Sequence, residues 1–331
     1  MTQKFDKPIV NANHYAKPRG RIYDSAVETI GGTPLVAVPN LQKKESLKAR
    51  LLLKLEFFNP MASVKDRLAK AMIEDAEARG LISPEKTHII EPTSGNTGLG
   101  LALVAASKGY HITLVMPESA SVERRAMMGH LGAELVLTPA AEGMSGAIKK
   151  AESLAEKDKN AWIPGQFVNP VNPLVHVETT GNELWVDTEG KLDAVVAGIG
   201  TGGTISGIAK ILHQHNPEIK VFGVEPQESH VLTGGEPGPH GIQGIGAGFK
   251  PEILDLPAIE KVIPVKTEDA LKTARLIART EGIASGISGG ASVAVAIELA
   301  KQPEFEGKTI AVIIPDFAGR YLSTALFEQK S

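Results

Sequence analysis

The sequence predicts an α/β protein whose parallel sheet carries helices on both faces. From residue 88 onward, short apolar runs that are typical of buried strands alternate with segments of helical periodicity. This order favours parallel pairing, because each helix returns the chain to the same edge of the sheet. The chain has 331 residues, of which 42% are apolar and 22% charged, a balance typical of a globular protein with one or two such domains.

Composition argues against several functional classes. The net charge of −3 disfavours electrostatic binding to nucleic acid or to acidic membranes. No apolar run reaches the ~18 residues that span a bilayer, and the polar segment 1–20 lacks the apolar core of a signal peptide. Cysteine is absent, so no disulfide, thiolate metal site or cysteine nucleophile is expected. We therefore expect a cytoplasmic protein whose segment 1–20 forms an arm without clear periodicity.

The first half of the chain is expected to fold in a regular order. A turn and a short strand follow Ile30, and a buried strand covers residues 49–57. The helix that begins near Ser63 is expected to end near Gly80, because glycine is favoured just after a helix C-terminus. Further strands are expected at residues 88–91, 111–116 and 134–138, and helices at residues 99–108, 122–130 and 144–157.

Residues 161–173 (AWIPGQFVNPVNP) interrupt this alternation with three prolines and no period, so we expect a crossover between domains here. The alternation then resumes, with strands at residues 192–199, 221–225, 261–265 and 309–315, and with helices that end near Val186 and His215 or begin at Thr267 and Ser288. The segment 226–250 is rich in glycine and proline, and long loops of this kind usually serve function.

Lys65 lies in the first turn of a predicted helix, where a cation is unfavourable. Ser63 is a suitable N-cap with Asp66 three residues later, and apolar residues follow at helical spacing. The helix dipole destabilises a cation in this turn by about 0.3–1 kcal/mol. A lysine shifted toward its neutral form can act as a nucleophile or a base, whereas a lysine that bends into solvent needs no function. This segment alone does not decide between the two interpretations.

The segment 91–98 (EPTSGNTG) joins a predicted strand to a predicted helix. Thr93, Ser94, Asn96 and Thr97 offer hydroxyl and amide groups beside several backbone N–H groups. A helix start of this kind can bind a carboxylate or a phosphate. A polar turn with a good N-cap shows the same pattern, so both interpretations stay open.

A second candidate anion site is the segment 200–204 (GTGGT), which follows an apolar strand and opens a helix. A dinucleotide site is the alternative, because Gly198, Gly200 and Gly203 fit G-x-G-x-x-G and Glu225 lies about 20 residues further on. However, this pattern lies beyond the middle of the chain instead of in the first strand–helix–strand unit. The two threonine hydroxyls also suit a terminal phosphate better than a bridging pyrophosphate, so we favour a phosphate site.

Ser288 lies just before an apolar helix (GISGGASVAVAIELA). Serine is among the favoured N-caps, and a cap needs no further role. The functional interpretation is a hydroxyl that faces a heterocyclic nitrogen. The local sequence does not decide between them.

Six motifs of the chain together resemble those of the cysteine synthases (O-acetylserine sulfhydrylases), which are fold-type II pyridoxal-phosphate enzymes. Between about Thr29 and the C-terminus they occur in the order SVKDR at Lys65, PTSGNTG at Asn96, GTGGT at Gly200, GIQGIGAGF from Gly241, GISGG at Ser288 and RYLSTALF from Arg320. Each motif carries little information by itself, whereas six in this order are specific. The resemblance implies two doubly wound α/β domains with the active site in the cleft between them. The smaller domain would comprise residues 59–167, and the larger one residues 1–58 and 168–331.

The resemblance also implies a role for each candidate residue. Lys65 would hold pyridoxal 5′-phosphate as a Schiff base and later take the α-proton of the substrate. Asn96 would hydrogen-bond the ring hydroxyl of the cofactor, and Ser288 would meet its pyridine nitrogen. The cofactor phosphate would lie among Gly200, Thr201, Gly202, Gly203 and Thr204. The substrate carboxylate would contact Thr93, Ser94, Asn96, Thr97 and Gln166, and the backbone at Gly244 would line the site.

The reaction implied by the resemblance is a β-replacement. O-acetyl-L-serine loses acetate to leave a bound aminoacrylate, and sulfide then adds to give L-cysteine. A serine hydroxyl does not hold the pyridine nitrogen protonated, so the ring is a moderate electron sink that suits β-elimination. The family also implies a homodimer, and a serine acetyltransferase partner whose C-terminal tail binds in the active-site cleft.

The chain departs from the family pattern at four places at the edges of the predicted site. They are Gly31 in GGTP, Met61 in NPMAS, Gly241 before IQGIG, and PDFAGRY in place of a more usual polar SGERY-like run. These departures leave the choice of the second substrate open. The alternatives are a bacterial cystathionine β-synthase that uses serine and homocysteine, an enzyme that uses O-phosphoserine, and a non-catalytic partner protein.

Overall fold

The computed structural model of the chain describes residues 16–17 and 19–328, so most of the expected N-terminal arm lies outside the described residues. The strands are β1 Leu35–Ala37, β2 Arg50–Leu55, β3 His88–Pro92, β4 His111–Pro117, β5 Glu134–Thr138, β6 Ala161–Trp162, β7 Ala194–Gly198, β8 Lys220–Pro226, β9 Lys261–Val265 and β10 Thr309–Ile314. The α-helices are α1 Pro39–Lys44, α2 Lys65–Ala78, α3 Asn96–Lys108, α4 Val122–His130, α5 Gly143–Ala155, α6 Val171–Val175, α7 Asn182–Asp187, α8 Gly203–His215, α9 Thr267–Glu281 and α10 Ile287–Ala300. None of the helices in residues 19–328 has both the length and the apolar character that crossing a bilayer demands.

The strands form two separate sheets. A six-stranded sheet has the order β1-β2-β10-β7-β8-β9, and a four-stranded sheet has the order β5-β4-β3-β6. All neighbouring strands are parallel except β1 and β2, which pair antiparallel with Leu35 opposite Lys54. The carboxyl ends of parallel strands share one edge of a sheet, and this edge is where α/β proteins usually bind ligands.

The candidate segments of the sequence follow these carboxyl ends. The strand β2 leads through a short 3-10 turn toward Lys65, and β3 leads into the loop 93–97. In the six-stranded sheet, β7 leads into the loop 200–204 and β10 into the segment 315–321. The topology therefore places these segments, from distant parts of the sequence, at the ligand-binding edges of the two sheets.

Both sheets are covered by helices on both faces. In the six-stranded sheet, Val196 and Val312 face the cluster that includes α9 and α10, whereas Val195 and Ala311 face the cluster that includes α8. The four-stranded sheet packs against α2 and α3 on one face and against α5 on the other. Each fully buried side chain of this size contributes about 1.5–3 kcal/mol to stability, so these four clusters hold the fold together.

The predicted fold class, α/β with parallel sheets and helices on both faces, is confirmed, and two details differ. The strand β1 is antiparallel to its neighbour, although the sequence favours parallel pairing. The strand β6 also occupies the start of the segment 161–173, where no period is visible, and pairs with β3 through Ala161 and His88. A two-residue strand is too short to show a period, and its pairing depends on a partner far away in the sequence.

The N-terminus of α2 differs from a capping box. The Ser63 hydroxyl accepts a hydrogen bond from the Lys65 N–H at 3.1 Å, but Val64 occupies the position before the helix. The Asp66 carboxylate accepts from the Met61 N–H at 2.6 Å instead of returning to Ser63. Ser63 therefore caps the helix from one residue further away than expected, and Asp66 fixes the loop that precedes it.

The helical segment 171–187 contains a wide turn in its middle. Between α6 and α7, residues His176–Gly181 form a π-helix. Such turns contain more residues than an α-helical turn and are frequent at functional sites. The turn packs closely on α8, because an ideal Cβ on Gly181 would lie 2.2 Å from the Ile211 side chain.

Candidate active site

Lys65 lies in the first turn of α2, as the sequence predicts, and is the first residue of this helix. Its turn is held between elements of both sheets. The Val64 N–H donates to the Pro315 carbonyl, just after β10, at 2.8 Å. On the other side, α3 approaches so closely that an ideal Cβ on Gly100 would lie 3.0 Å from the Lys65 carbonyl oxygen. Glycine at position 100 therefore allows α3 to pack directly on the turn that carries the lysine.

The Lys65 ammonium has no hydrogen bond or salt bridge within residues 19–328. Burial lowers its pKa from the ordinary 10.5 to about 8, and the negative charge of Asp316 offsets part of this shift. The shift follows because a charged group loses hydration free energy when it leaves water. Near physiological pH the ammonium form still predominates, but the neutral fraction is far larger than for an ordinary lysine, and the neutral form is the one that a base or nucleophile requires.

The loop 93–97 presents open hydrogen-bond donors at the start of α3. Among the described residues, no acceptor is found for the backbone N–H groups of Ser94, Asn96 and Thr97. The Thr93 N–H donates to the Val115 carbonyl at 2.9 Å, and the Gly95 N–H to the Thr93 hydroxyl at 3.3 Å. Open N–H groups at a helix N-terminus are suited to binding an anion.

The loop 200–204 forms a second cradle of open donors at the start of α8. Within the described chain, the backbone N–H groups of Gly200, Thr201, Gly202 and Thr204 have no acceptor, and that of Gly203 lies 3.4 Å from the Thr201 hydroxyl. Gly202 has a φ of +85°, which strains any other residue. An ideal Cβ on Gly200 would lie 2.4 Å from the Gly244 carbonyl oxygen, so glycine is required where these loops meet.

A chain of buried hydrogen bonds joins the two cradles. The Thr97 hydroxyl donates to Gln166 Oε1 at 2.6 Å. Asn172 Nδ2 donates both to the Gln166 carbonyl and to the Thr201 hydroxyl, each at 2.9 Å. The structure therefore brings Thr97, Gln166 and Thr201 together, and it adds Asn172, which the sequence did not single out.

The side chain of Asn96 is fixed at both of its ends. Its Nδ2 donates to Asp316 Oδ2 at 2.8 Å, and its Oδ1 accepts from the Arg320 guanidinium. Both partners belong to the segment PDFAGRY, in which the sequence marked a departure from the family pattern and in which Arg320 also begins the motif RYLSTALF. Asn96 thus connects the four-stranded sheet to the loop that follows β10.

Ser288 is not the N-cap of the last helix. Gly286 occupies the N-cap position of α10, and Ser288 is the second residue of the helix. Its side chain is buried, and among the described residues its hydroxyl has no hydrogen-bond partner. The capping interpretation of this serine is therefore wrong, and the hydroxyl is available for a ligand.

Two buried side chains that the sequence did not single out support these loops. His176 lies on the π turn, and its Nε2 is 3.1 Å from the Thr204 hydroxyl. Burial, with the positive charges of Arg67 and Lys65, lowers the pKa of His176 well below 6.5, so the ring is neutral. Glu91 accepts from the backbone N–H groups of Gly165 and Gln166 at 3.1 and 3.4 Å and thereby holds the loop that carries Gln166.

The carboxylate that a dinucleotide site would need is already used inside the fold. Glu225 is 1% exposed and accepts from the Leu232 N–H at 2.9 Å and from the Thr233 hydroxyl at 2.7 Å. A ribose hydroxyl would have to displace these partners. The geometry therefore disfavours the dinucleotide interpretation of Gly198, Gly200 and Gly203.

The four departures from the family pattern have different surroundings. Met61 packs against the core of the four-stranded sheet. Gly241 is exposed, with its N–H on the Thr267 hydroxyl at 3.1 Å. An ideal Cβ on Gly31 would lie 3.2 Å from the Arg67 guanidinium. Of the four, only PDFAGRY has a side-chain hydrogen bond to a residue of the predicted site among the described residues.

Comparisons with known proteins agree with this geometry. The chain is 50% identical over 305 residues to a cysteine synthase of Staphylococcus aureus, which covers 92% of this chain and 97% of the relative. The crystal structure of a cysteine synthase (OASS) from Entamoeba histolytica matches with a TM-score of 0.93 at 44% identity and covers 98% of this chain and 95% of that one. An O-acetylserine-dependent cystathionine β-synthase from Helicobacter pylori matches with a TM-score of 0.87 at 40% identity and covers 93% and 100%.

A family model described as "pyridoxal-phosphate dependent enzyme" matches residues 27–316. The match includes Lys65, the loops 93–97 and 200–204, and Ser288. It extends from the residues before β1 to the end of β10 and so covers both sheets. The chain therefore belongs to the family of pyridoxal-phosphate-dependent enzymes.

Proposed function

We propose that the chain is a cysteine synthase, which replaces the acetate of O-acetyl-L-serine with sulfide to give L-cysteine. The observation that carries this proposal is the pair of anion cradles, at loops 93–97 and 200–204, joined by the hydrogen bonds of Gln166 and Asn172. An amino acid bound to pyridoxal phosphate carries both a carboxylate and a phosphate. Two structural neighbours at 44% and 40% identity that are named for O-acetylserine support the same substrate class.

The residues present fit the cofactor. The cradle at 200–204 would hold the phosphate, because its glycines admit no Cβ and its N–H groups are open. The Ser288 hydroxyl, which has no partner in the described chain, would meet the pyridine nitrogen. Asn96 would donate to the ring hydroxyl, and Lys65 would hold the cofactor covalently. The cofactor supplies an electron-withdrawing ring that eases departure of the α-proton and of the β-leaving group.

The side chains of the protein would bind the substrate and move its proton. The open N–H groups of Ser94, Asn96 and Thr97, with the Gln166 amide, would hold the substrate carboxylate and so orient its α-carbon. Lys65 Nζ would take the α-proton in its neutral form, which a lowered pKa of about 8 makes far more populated than in an ordinary lysine. Thr93, which is buried, would hold the loop in position through its hydroxyl.

The same geometry would serve a cystathionine β-synthase, and the Helicobacter pylori neighbour is named for that activity with O-acetylserine. The two activities share the amino-acid substrate and differ in the sulfur donor. Homocysteine is larger than sulfide and carries a carboxylate and an amine of its own, so it needs additional polar contacts. An enzyme that uses O-phosphoserine would differ in the leaving group instead.

Absorbance titrations of the purified holoprotein would distinguish these activities. We expect O-acetylserine to change the visible band of the bound cofactor, and sulfide to restore the band with formation of L-cysteine. A band that ignores O-acetylserine but responds to serine followed by homocysteine would overturn the proposal in favour of cystathionine synthesis. A response to O-phosphoserine alone would assign the third alternative.

Three further parts of the proposal concern organisation. We propose two domains, residues 59–167 and residues 1–58 with 168–331, because β3 to β6 all lie within 59–167 and the other strands lie outside it. We also propose a cytoplasmic homodimer and a serine acetyltransferase partner whose C-terminal tail occupies the cleft. Sedimentation of the holoprotein tests the dimer, and competition between a synthetic tail peptide and O-acetylserine tests the partner.

A further inference from the structure

The segment 315–321 (PDFAGRY) braces the three backbone regions that carry the proposed cofactor contacts. The Pro315 carbonyl accepts from the Val64 N–H at 2.8 Å, one residue before the cleft lysine. The Asp316 carbonyl accepts from the Gly286 N–H at 3.0 Å, two residues before the proposed ring-nitrogen serine. A third contact, from the side chain of Asp316, reaches the proposed ring-hydroxyl residue Asn96.

The Asp316 carboxylate is buried inside this brace. The residue is 1% exposed, and its Oδ2 accepts from Asn96 Nδ2 at 2.8 Å and from the Tyr321 hydroxyl at 2.5 Å. Its Oδ1 is buried without a hydrogen-bond partner in the described chain. An ideal Cβ on Gly286 would lie 1.9 Å from Oδ1, so only glycine at that position leaves room for this carboxylate.

The two partners of the Asn96 amide permit only one orientation of it. A carboxylate only accepts hydrogen bonds and a guanidinium only donates them. The Asp316 carboxylate therefore requires the amide nitrogen, and the Arg320 guanidinium requires the amide oxygen. After these two bonds, the amide keeps one free N–H and one free lone pair of the oxygen.

We propose that Asp316 is a positioning residue, which together with Arg320 locks the Asn96 amide so that its free N–H serves the ring oxygen of the cofactor. The inference rests on the proposed function, because the assignment of Asn96 to the cofactor is part of that proposal. An unlocked amide could turn by 180° and present its oxygen, an acceptor, to an oxygen of the ring. At metal sites, loss of the partner that orients a ligating group costs about 10–100-fold in affinity or activity, and we expect an effect of similar size here.

A charge effect accompanies the positioning effect. Asp316 is the charged group that acts on Lys65, and it raises the pKa of that amine against the larger lowering caused by burial. Arg320 is close enough to Asp316 and Asp66 for both carboxylates to raise its own pKa, although burial lowers the pKa overall. The isosteric change Asp316→Asn removes the charge and keeps one acceptor oxygen, so it separates the two effects.

The test measures binding of pyridoxal phosphate to the apoprotein and the absorption maximum of the bound cofactor across pH. We expect Asp316→Ala to weaken binding by about 10-fold or more and to shift the band. Asp316→Asn should recover part of the affinity, because its oxygen still accepts from Asn96 Nδ2. Asp187→Asn is the matched control, since that carboxylate pairs with Lys54 at 3.2 Å in a different network and should leave both readouts unchanged.

A double-mutant comparison distinguishes this inference from the proposed function. If Asp316 acts through Asn96, Asp316→Ala should lose most of its effect on affinity in an Asn96→Ala background, and the remainder should be the charge effect on Lys65. If the effects of Asp316→Ala and Asn96→Ala on the free energy of cofactor binding simply add, the positioning role is overturned. It is also overturned if the Asp316→Ala protein binds the cofactor as the wild type does. An Asn96→Ala protein with unchanged affinity and band would instead overturn the assignment of Asn96 to the cofactor. If Asp316→Ala lowers the melting temperature but leaves the affinity and the absorption maximum unchanged, Asp316 is purely structural and the inference is overturned.

Discussion

The first turn of α2 carries two cations with opposite surroundings. Arg67 is 1% exposed, and its guanidinium lies 2.7 Å from Glu56 Oε2 and 2.6 Å from Glu183 Oε1. Lys65, two residues earlier, has no carboxylate within salt-bridge distance among the described residues, and its pKa is lowered to about 8. One turn of helix thus holds a fully paired charge and an unpaired one.

The difference shows two ways in which a fold can hold a buried cation. Burial would raise the pKa of Glu183, but the hydrogen bond and charge of Arg67, with the charge of Lys54, lower it to about 2 and keep it ionised. The pKa of Arg67 is raised, so this network stays charged on both sides. Lys65 instead shifts toward its neutral form. Paired charges stabilise this region of the fold, and the unpaired amine is left for chemistry.

Lys65→Ala should give the largest effect, because it removes the unpaired amine. We expect the visible band of the lysine-linked cofactor to disappear and the rate of cysteine formation to fall by about 10²–10⁴-fold or more, as the base is lost. The apoprotein should melt no lower than the wild type, since a desolvated ammonium is removed. Absorbance, a cysteine assay and thermal melting check these points. A variant that keeps the band would contradict the assignment of Lys65.

Arg67→Met should affect the paired side of the comparison. It leaves the buried Glu56 carboxylate without its cationic partner, whereas Glu183 keeps Lys54 at 2.9 Å. The loss of one partner of a buried ion pair destabilises a protein by about 3–5 kcal/mol. Urea unfolding of the apoprotein measures this change. The double variant with Glu56→Gln should regain part of the stability, because the unpaired buried charge is removed as well. A loss below about 1 kcal/mol for the single variant would show that the network contributes little.

Glu91 tests a third situation, a buried carboxylate whose only hydrogen-bond partners in the described part of the chain are backbone N–H groups. Burial raises its pKa from 4.5 to about 7, although the N–H groups of Gly165 and Gln166 offset part of the shift. The folded state therefore binds the proton more tightly than the unfolded state, and stability falls as pH rises from about 4.5 to 7. The fall attributable to this group is on the order of 3 kcal/mol.

Glu91→Gln should remove this part of the pH dependence. We expect the difference in unfolding free energy between pH 5 and pH 8 to be smaller for the variant than for the wild-type apoprotein. Asp66, whose pKa burial also raises to about 7, contributes equally to both proteins and cancels. Equal pH dependence in the two proteins would show that Glu91 is ionised at pH 5 in the folded state.

The smallest effect is expected from the exposed end of the same helix. Arg79 Nε lies 3.0 Å from Asp75, with side chains 62% and 33% exposed. Exposed pairs at this spacing contribute about 0.3–0.5 kcal/mol. Arg79→Ala should therefore change the unfolding free energy by no more than about 0.5 kcal/mol, and 1 M salt should remove most of that change. If Arg79→Ala lowered the unfolding free energy as much as Arg67→Met does, burial of the ion pair would not be what determines its contribution to stability.

Local sequence patterns predicted much of the fold, because the formation of a strand and the end of a helix depend mainly on residues that are neighbours in the sequence. The apolar run at 192–199 and the helix closed by Gly109 appear in the structure as β7 and α3, with Gly109 at a φ of +80°. The strand β6 has too few residues to show a period. The antiparallel pairing of β1 is a property of two segments, so no single window of the sequence contains it.

The same distinction between local patterns and long-range contacts applies to the residues of the site. Motifs identified Lys65, the two loops and Ser288, whose roles depend on position within one turn or helix start. Asn172 and His176 were not found, because each acts on a hydroxyl of the loop 200–204 from more than 25 residues away. Their partners follow from topology, which brings α6 and the π turn against α8. The capping role of Ser288 was wrong because the helix starts at Ile287, two residues earlier than a cap at Ser288 would require.

The π turn at His176–Gly181 lies between two contacts, and both of them depend on the number of residues in this helical segment. His176, at its start, contacts the Thr204 hydroxyl, and Glu183, just beyond its end, binds Arg67. Removing one residue from the turn would allow a regular α-helix but would rotate everything after it by about 100°. One of the two contacts would then be lost. A single-residue deletion here should therefore be tolerated far less than a substitution, because this helix holds the loop 200–204 and the buried charge network in a fixed relative position.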